Sequence, residues 1–356
     1  MFAGAPSPRV VVVGAGFSGI ALGVKLMRAG IHTYDVYEMS PRLGGTWLEN
    51  TYPGCEVDVA SHLYSYSFAH HDWTRTHARQ GELLAYLERV ADEFGVRPHV
   101  HCGTKVIDAS WDDATHLWNV RLSTGETVQA NIVVSAVGML NQPKMPEWPG
   151  LERFRGPKFH TARWEHEHDL AGKTIAVVGT GSTAIQIVPA LAPIAKRVIQ
   201  FQREPGWVMQ KGDRDLTPEE RARFRTRLGR RRERLRLGWL IERNVWGGDI
   251  YRPGTKANTA REHYCRELIA KTFADRPELA AAVTPTYPYP GKRPIFHDAY
   301  YETLKRENVE LVPRAVASIT ETGVVDVEFV SVRLQNLSDK TMCTLNGTLT
   351  TTGKSF

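Results

Sequence analysis

Arg9-Val-Val-Val-Val-Gly14-Ala-Gly16-Phe17-Ser18-Gly19-Ile20 is the stretch that decides how this chain is read. Four consecutive valines predict a strand buried on both faces. The spacing G-x-G-x-x-G follows at once, and Ala21, Leu22, Val24 and Leu26 then continue as an apolar helix. A glycine motif held between strand and helix is the dinucleotide fingerprint. Its glycines let the backbone turn tightly and approach a pyrophosphate, while the helix N-terminus offers unpaired N–H groups and a partial positive charge. A second strand, Thr33 to Tyr37, ends at Glu38, 19 residues past Gly19. A carboxylate there accepts hydrogen bonds from an adenosine ribose.

The pattern recurs at Lys173-Thr-Ile-Ala-Val-Val-Gly179-Thr180-Gly181-Ser182-Thr183-Ala184. The strand after it, Arg197 to Gln202, ends at Arg203, again 19 residues past the last small residue. The spacing is conserved within the chain and the charge is inverted. A guanidinium pairs with a 2′-phosphate through a bidentate fork, so the second fold is expected to prefer NADP over NAD. Glu204 adjoins Arg203 and opposes that preference. Two dinucleotide folds in one chain point to a flavoprotein in which one bound cofactor gives hydride and the other takes it.

The 356 residues suggest two domains at about 150 residues each. With 42% apolar and 24% charged residues, the composition excludes collagen-like and wholly disordered chains. No apolar run approaches the roughly 18 residues of a membrane span, and Met1 to Arg9 carries no signal-peptide pattern. Cys55, Cys102, Cys265 and Cys343 lie far apart without C-x-x-C, which argues against a disulfide scaffold or a zinc cluster and fits a reducing cytoplasm. No metal is expected. The net charge of +6 owes much to nine arginines between Arg221 and Arg236. That segment reads as one basic helix, started by Thr217-Pro218-Glu219-Glu220, with Phe224, Leu228, Leu235 and Trp239 on a single face. It is expected to be a solvated face rather than a membrane or nucleic-acid surface. Arg261 to Phe273 reads as a further helix, and Trp118–Leu122 with Thr127–Val128 as a hairpin around Ser123-Thr-Gly125. Ile132 to Gly138 is another buried strand, and Pro143, Pro146 and Pro149-Gly150 form a stiff exit from the first fold.

A resemblance narrows the class. Gly44-Gly45-x-Trp47-x-x-x-x-Tyr52-Pro53-Gly54-x-x-x-Asp58 and Phe154-x-Gly156-x-x-x-His160-x-x-x-Trp164 resemble the two fingerprints of type I Baeyer–Villiger monooxygenases, FAD- and NADPH-dependent relatives of the flavin-containing monooxygenases. Lys292-Arg293, Asp298-x-Tyr300-Tyr301 and Val309-x-Leu311-Val312 match the same family, so the resemblance runs from about residue 10 to about residue 312. Disulfide reductases with two such folds place a redox cysteine pair soon after Gly-Gly-Thr. This chain has only Cys55 there, and a single thiol cannot cycle as an intrachain disulfide. Trp164 favours the ketone-oxidising branch.

The resemblance implies FAD held by Gly14, Gly16, Phe17, Ser18, Gly19, Glu38, Gly45, Thr46, Trp47, Asp58, Tyr64 and Val106. It implies NADPH on Gly179, Thr180, Gly181, Ser182, Thr183, Arg203 and Lys292. The implied substrates are O₂ and a small ketone or soft nucleophile, with a flavin peroxide attacking the ketone carbonyl to give an ester or lactone. Arg293 would stabilise the negative charge on oxygen, and Asp58 would orient Arg293. His160 and Trp164 would serve the movement between folds, not acid–base catalysis. Two readings compete: an N- or S-oxygenating flavin monooxygenase, and a shortened chain that binds nucleotide without turnover.

The expected fold class is α/β: two Rossmann-like dinucleotide-binding domains, three-layer and glutathione-reductase-like, with a helical insertion. The FAD domain is expected at 1–149, the NADP domain at 150–212 and 291–325, and the insertion at 213–290. In the family a later strand returns to the FAD sheet. No such pattern is found after about Val325, so 326–356 is expected to be an atypical tail, with a hairpin signal at Asn346-Gly347 and the FAD sheet left with an open edge.

Overall fold

In a computed structural model, which describes residues 7–243, 249–327, 331–333 and 340–344, Val10–Val13 is a strand whose residues are almost wholly buried. Tyr34–Tyr37 and Ile132–Ser135 flank it in parallel, and Val100–His101 extends the sheet beyond Tyr34–Tyr37. A parallel sheet is covered on both faces, which is why its first strand reads as unbroken valine rather than as an alternation. Alternate side chains sort to opposite faces. Val12 lies toward Gly19 of the helix Phe17–Arg28, while Val11 packs with Tyr37, Val120, Leu122, Val128 and Ala130. The last four come from an antiparallel sheet of Val106–Asp112, Leu117–Leu122 and Thr127–Ala130. Helix, parallel sheet and antiparallel sheet are the three layers, and the expected hairpin is the last of them. Among the described residues Ile132–Ser135 has one strand partner.

This first unit comprises Met1–Thr51, Ser65–His71 and Arg79–Gln142. Tyr52–Tyr64 and Asp72–Ala78 belong instead to the second unit, with everything from Pro143 onward. The reason is a set of polar stitches. Tyr52 donates to Gln186 Oε1 at 2.9 Å, Gln186 Nε2 donates to the Glu56 carbonyl at 3.1 Å, and Lys211 Nζ donates to the Val57 carbonyl at 2.8 Å.

The second unit has a parallel sheet ordered Val309–Val312, Arg197–Phe201, Thr174–Val178, Lys340–Thr344 and Lys158–His160. An antiparallel sheet of Val316–Thr320, Gly323–Asp326 and Ser331–Arg333 accompanies it. Phe154, Ala176, Ile199, Phe201, Val312, Ile319 and Val324 form the core they share. The fold class is therefore α/β with two Rossmann-like folds.

Within 326–356, Ser331–Arg333 adds to the small sheet, and Lys340–Thr344 lies between two strands of the second parallel sheet, in register from Lys340 opposite Thr174. Threonine is β-branched, so a Thr-rich segment favours a strand as readily as an open loop. Asn346-Gly347 lies outside the described residues. One expectation needs correction: the basic segment is not one helix. Pro218–Arg225 ends at Thr226, whose extended backbone (φ −79°, ψ 144°) breaks the run before Arg227–Ile241 begins. Phe224 is consequently buried, while Leu228, Leu235 and Trp239 stand exposed, and the four share no face. Lys256–Thr272, longer than expected, and Pro277–Val283 complete the insertion. Among the described residues no helix is long and apolar enough to cross a membrane.

Candidate functional site

In the first unit the chain turns at Gly14 and enters the helix Phe17–Arg28 with Gly16 at its cap and no side chain capping it. The first N–H groups of the helix are thus left for an anion. A Cβ on Gly19 would fall 1.9 Å from the Gly14 carbonyl oxygen, so only glycine lets the helix start this close to the turn. Gly45 (φ +54°) faces the same place, and a Cβ there would come within 2.9 Å of Gly16 Cα. The two bare backbones form a cradle that any side chain would fill. Glu38 is buried at its edge: Oε2 accepts the Ala15 N–H and Oε1 the Ser40 N–H, each at 2.8 Å. Each carboxylate oxygen keeps a further lone pair for a ribose hydroxyl. Ser18 is exposed, whereas the Phe17 ring packs 5.2 Å from that of Tyr66. Thr46 and buried Trp47 open the short helix Thr46–Glu49 after Gly45. Val106, half-buried, begins the first strand of the antiparallel sheet and packs against the core that holds Val11 and Tyr37.

In the second unit Gly179-Thr180-Gly181 leads into Ser182–Leu191, whose cap is Gly181, again without a side-chain cap. Thr180 Oγ1 donates to the Glu204 carbonyl at 2.8 Å, tying the Arg203-Glu204 turn to the glycine turn. Arg203 is exposed and has no ion pair among the described residues. Glu204 pairs with Lys292, so the acid that opposed the 2′-phosphate reading is neutralised by another cation. Ser182 and Thr183 are half-buried, and Thr183 hydrogen-bonds Tyr52.

The residue after Lys292 reaches a different partner. Arg293, 74% exposed, has its guanidinium 3.5 Å from Asp58 Oδ2, a single long contact. Asp58 is 12% exposed, and its Oδ1 is buried without a hydrogen-bond partner among the described residues. Burial pushes its carboxyl above the usual range, against Lys211 first and Arg293 second. Lys211 was not expected from the sequence. Its side chain is 2% exposed, Nζ lies 2.9 Å from Glu56 Oε1, and it donates to the Val57 carbonyl. Asp298 holds the Lys211 loop by accepting the backbone N–H groups of Lys211, Gly212 and Asp213 at 2.9, 2.9 and 2.6 Å. Asp298 belongs to the third matched motif, and its adjacency to Lys211 is a product of folding across 87 residues.

Tyr64 is half-buried in the second unit, its N–H on the Ala60 carbonyl at 3.0 Å. His160 is buried at the end of Lys158–His160 and accepts the Ala162 N–H at Nδ1, 3.1 Å away. Trp164 is buried edge-on to Phe159. The thiol of Cys55 is buried and pushed up to about 12, which makes it inert. Cys55, Cys102 and Cys265 are all free. Glu165, Glu167 and His168 cluster near the surface.

Each unit thus carries a strand–glycine turn–helix junction, the first with Glu38 beside it and the second with Arg203 on the turn that Thr180 ties to it. Residues 11–237 match the pyridine nucleotide-disulphide oxidoreductase family. A Baeyer–Villiger monooxygenase of Streptomyces coelicolor is 40% identical over 318 residues, covering 89% of this chain and 60% of that protein. The chain thus spans about 60% of the length of the first curated relatives it matches. Among solved structures, a cyclohexanone monooxygenase with bound ε-caprolactone is 32% identical with a TM-score of 0.82, covering 96% of this chain and 73% of that one. OTEMO in complex with FAD and NADP is 27% identical, also with a TM-score of 0.82, covering 96% and 72%. The chain belongs to the pyridine nucleotide-disulphide oxidoreductase family, and within it to the type I Baeyer–Villiger monooxygenases.

Proposed function

We propose that this chain binds FAD and NADPH and serves a monooxygenase that inserts one oxygen atom of O₂ into a small ketone. The observation that carries the reading is the Lys292-Arg293 pair. One residue is bonded to Glu204 at the mouth of the second cradle, and the next reaches Asp58. Nucleotide and oxygen chemistry are thereby joined by a single peptide bond. The relatives above act as monooxygenases by name, and a lactone occupies one of them.

Both nucleotides fit the residues present. The Gly16–Gly45 cradle is too close for any side chain, and the buried Glu38 stands beside it. The exposed, unpaired Arg203 suits a 2′-phosphate. When bound, NADPH supplies hydride and FAD supplies two-electron transfer and activation of O₂. The chain's own residues do the rest. The N–H groups at Phe17, Ser18 and Gly19 hold one pyrophosphate, and those at Ser182 and Thr183 the other. Thr46 and Trp47 border the first nucleotide. Arg293 presents a permanent positive charge to oxygen as it becomes negative, and Asp58 limits where that guanidinium can sit. His160 and Trp164 are read as packing at the base of the second fold. A cytoplasmic setting suits the three free thiols.

The test is product analysis with the purified chain, NADPH, air and two substrates, cyclohexanone and an aryl methyl thioether. Lactone from the first supports the proposal. Sulfoxide alone supports heteroatom oxygenation instead, and NADPH-independent absence of both with a colourless protein overturns it.

A further inference from the structure

Apart from the two phosphate cradles, the second unit contains a cavity of about 900 Å³ between the helical insertion and the Lys211 loop. That lies at the upper end of the roughly 300–1,000 Å³ typical of small-molecule sites. Five cationic side chains and two carboxylates line it. Most of this charge is already matched. Arg214 forks onto Glu220 with both contacts at 2.7 Å, and Arg236 onto Glu233 at 2.6 and 2.9 Å. Lys211 is neutralised by Glu56. Arg223 and Arg232 remain, and neither has an ion pair among the described residues. The Arg223 guanidinium lies over the Phe224 ring, 4.8 Å from its centre. Leu216, Phe224 and Leu237 supply apolar wall.

Arg223 feels Glu220 and Glu233 without pairing with either, and the lining keeps a surplus of positive charge beside its apolar wall. A neutral molecule would leave both exposed guanidiniums to water, and a bare inorganic anion would leave the wall wet. We propose that this cavity binds a small amphiphile with one anionic end, a carboxylate or phosphate, received by Arg223 and Arg232 with its aliphatic body on Leu216, Phe224 and Leu237. The kink at Thr226 builds the cavity: it turns Arg227–Ile241 away from the line of Pro218–Arg225, so that residues of both helices face one space.

Calorimetric titration of the purified chain with octanoate, octyl phosphate and 1-octanol tests this directly. Both anions are expected to bind at least tenfold more tightly than the alcohol, and whichever is tighter identifies the head group. The double variant Arg223→Gln/Arg232→Gln should lose that preference while keeping its circular dichroism. A control, Arg227→Gln/Arg231→Gln, removes the same charge from the helix Arg227–Ile241 outside the cavity lining and should retain it. Alcohol binding as tightly as the anions would overturn the assignment. So would equal loss in the control, or unchanged preference in the cavity variant.

Discussion

Arg293 is exposed and tethered by one 3.5 Å contact, so its value lies in charge and reach rather than in stability. Arg293→Ala should lower ester or lactone formation by about 10²–10³, the loss typical of one oxyanion donor, while NADPH oxidation continues. Product yield per NADPH consumed is the measurement. Lys211 governs the acid beneath it. Its charge is the largest of those holding down the Asp58 carboxyl against burial, so Lys211→Met should raise the pH at which Asp58 ionises. The acid limb of product formation should then move to higher pH, and Lys211→Arg should leave it nearer its original place. Because Lys211→Met strands the buried Glu56, it should also destabilise the fold by about 3–5 kcal/mol, and Glu56→Gln in the same chain should restore much of that. Arg203 answers to a different readout: Arg203→Ser should raise the KM for NADPH about 10- to 100-fold, the worth of a charge-assisted pair, with little change for NADH.

At the scale of elements, Thr226 ends one helix and begins the next. Its hydroxyl accepts the Gly229 N–H at 3.0 Å and donates to the Arg223 carbonyl at 2.8 Å. Thr226→Ala should cost about 1 kcal/mol, read as a lower thermal midpoint. That break was hidden in the sequence because an unbroken helical repeat of apolar residues spans it. A threonine mid-run gives no warning until its own backbone turns extended. The glycine turns were legible for the opposite reason: each meets a local backbone demand written within a dozen residues. Glu38 and Arg203 were legible too, since strand and helix lengths set their spacing. The surroundings of Asp58 were not. Lys211 acts on it from 153 residues away, held by Asp298, and no period or motif links charges that only the fold brings together. Lys340–Thr344 was missed because composition alone does not separate a β-branched strand from a polar tail.

Across the whole molecule, Asp213 shows how the second unit depends on pH. Burial raises its carboxyl, but His77 and then Arg75 outweigh this and hold it well below the usual range. A depressed carboxylate stabilises the fold above the unfolded pKa of about 4 and loses that contribution as pH falls below it. The thermal midpoint should therefore drop on acidification, and the drop should be shallower in Asp213→Asn, which starts lower at neutral pH. The central claim concerns the two cradles and their opposite charges. Its most direct measurement is the visible spectrum of the purified chain and two variants during anaerobic NADPH titration. The chain is predicted to be yellow and to bleach; Glu38→Ala should lose the colour, whereas Arg203→Ser should stay yellow and bleach only at higher NADPH. Colour kept in Glu38→Ala, or bleaching of Arg203→Ser at the parent concentration, would contradict the account.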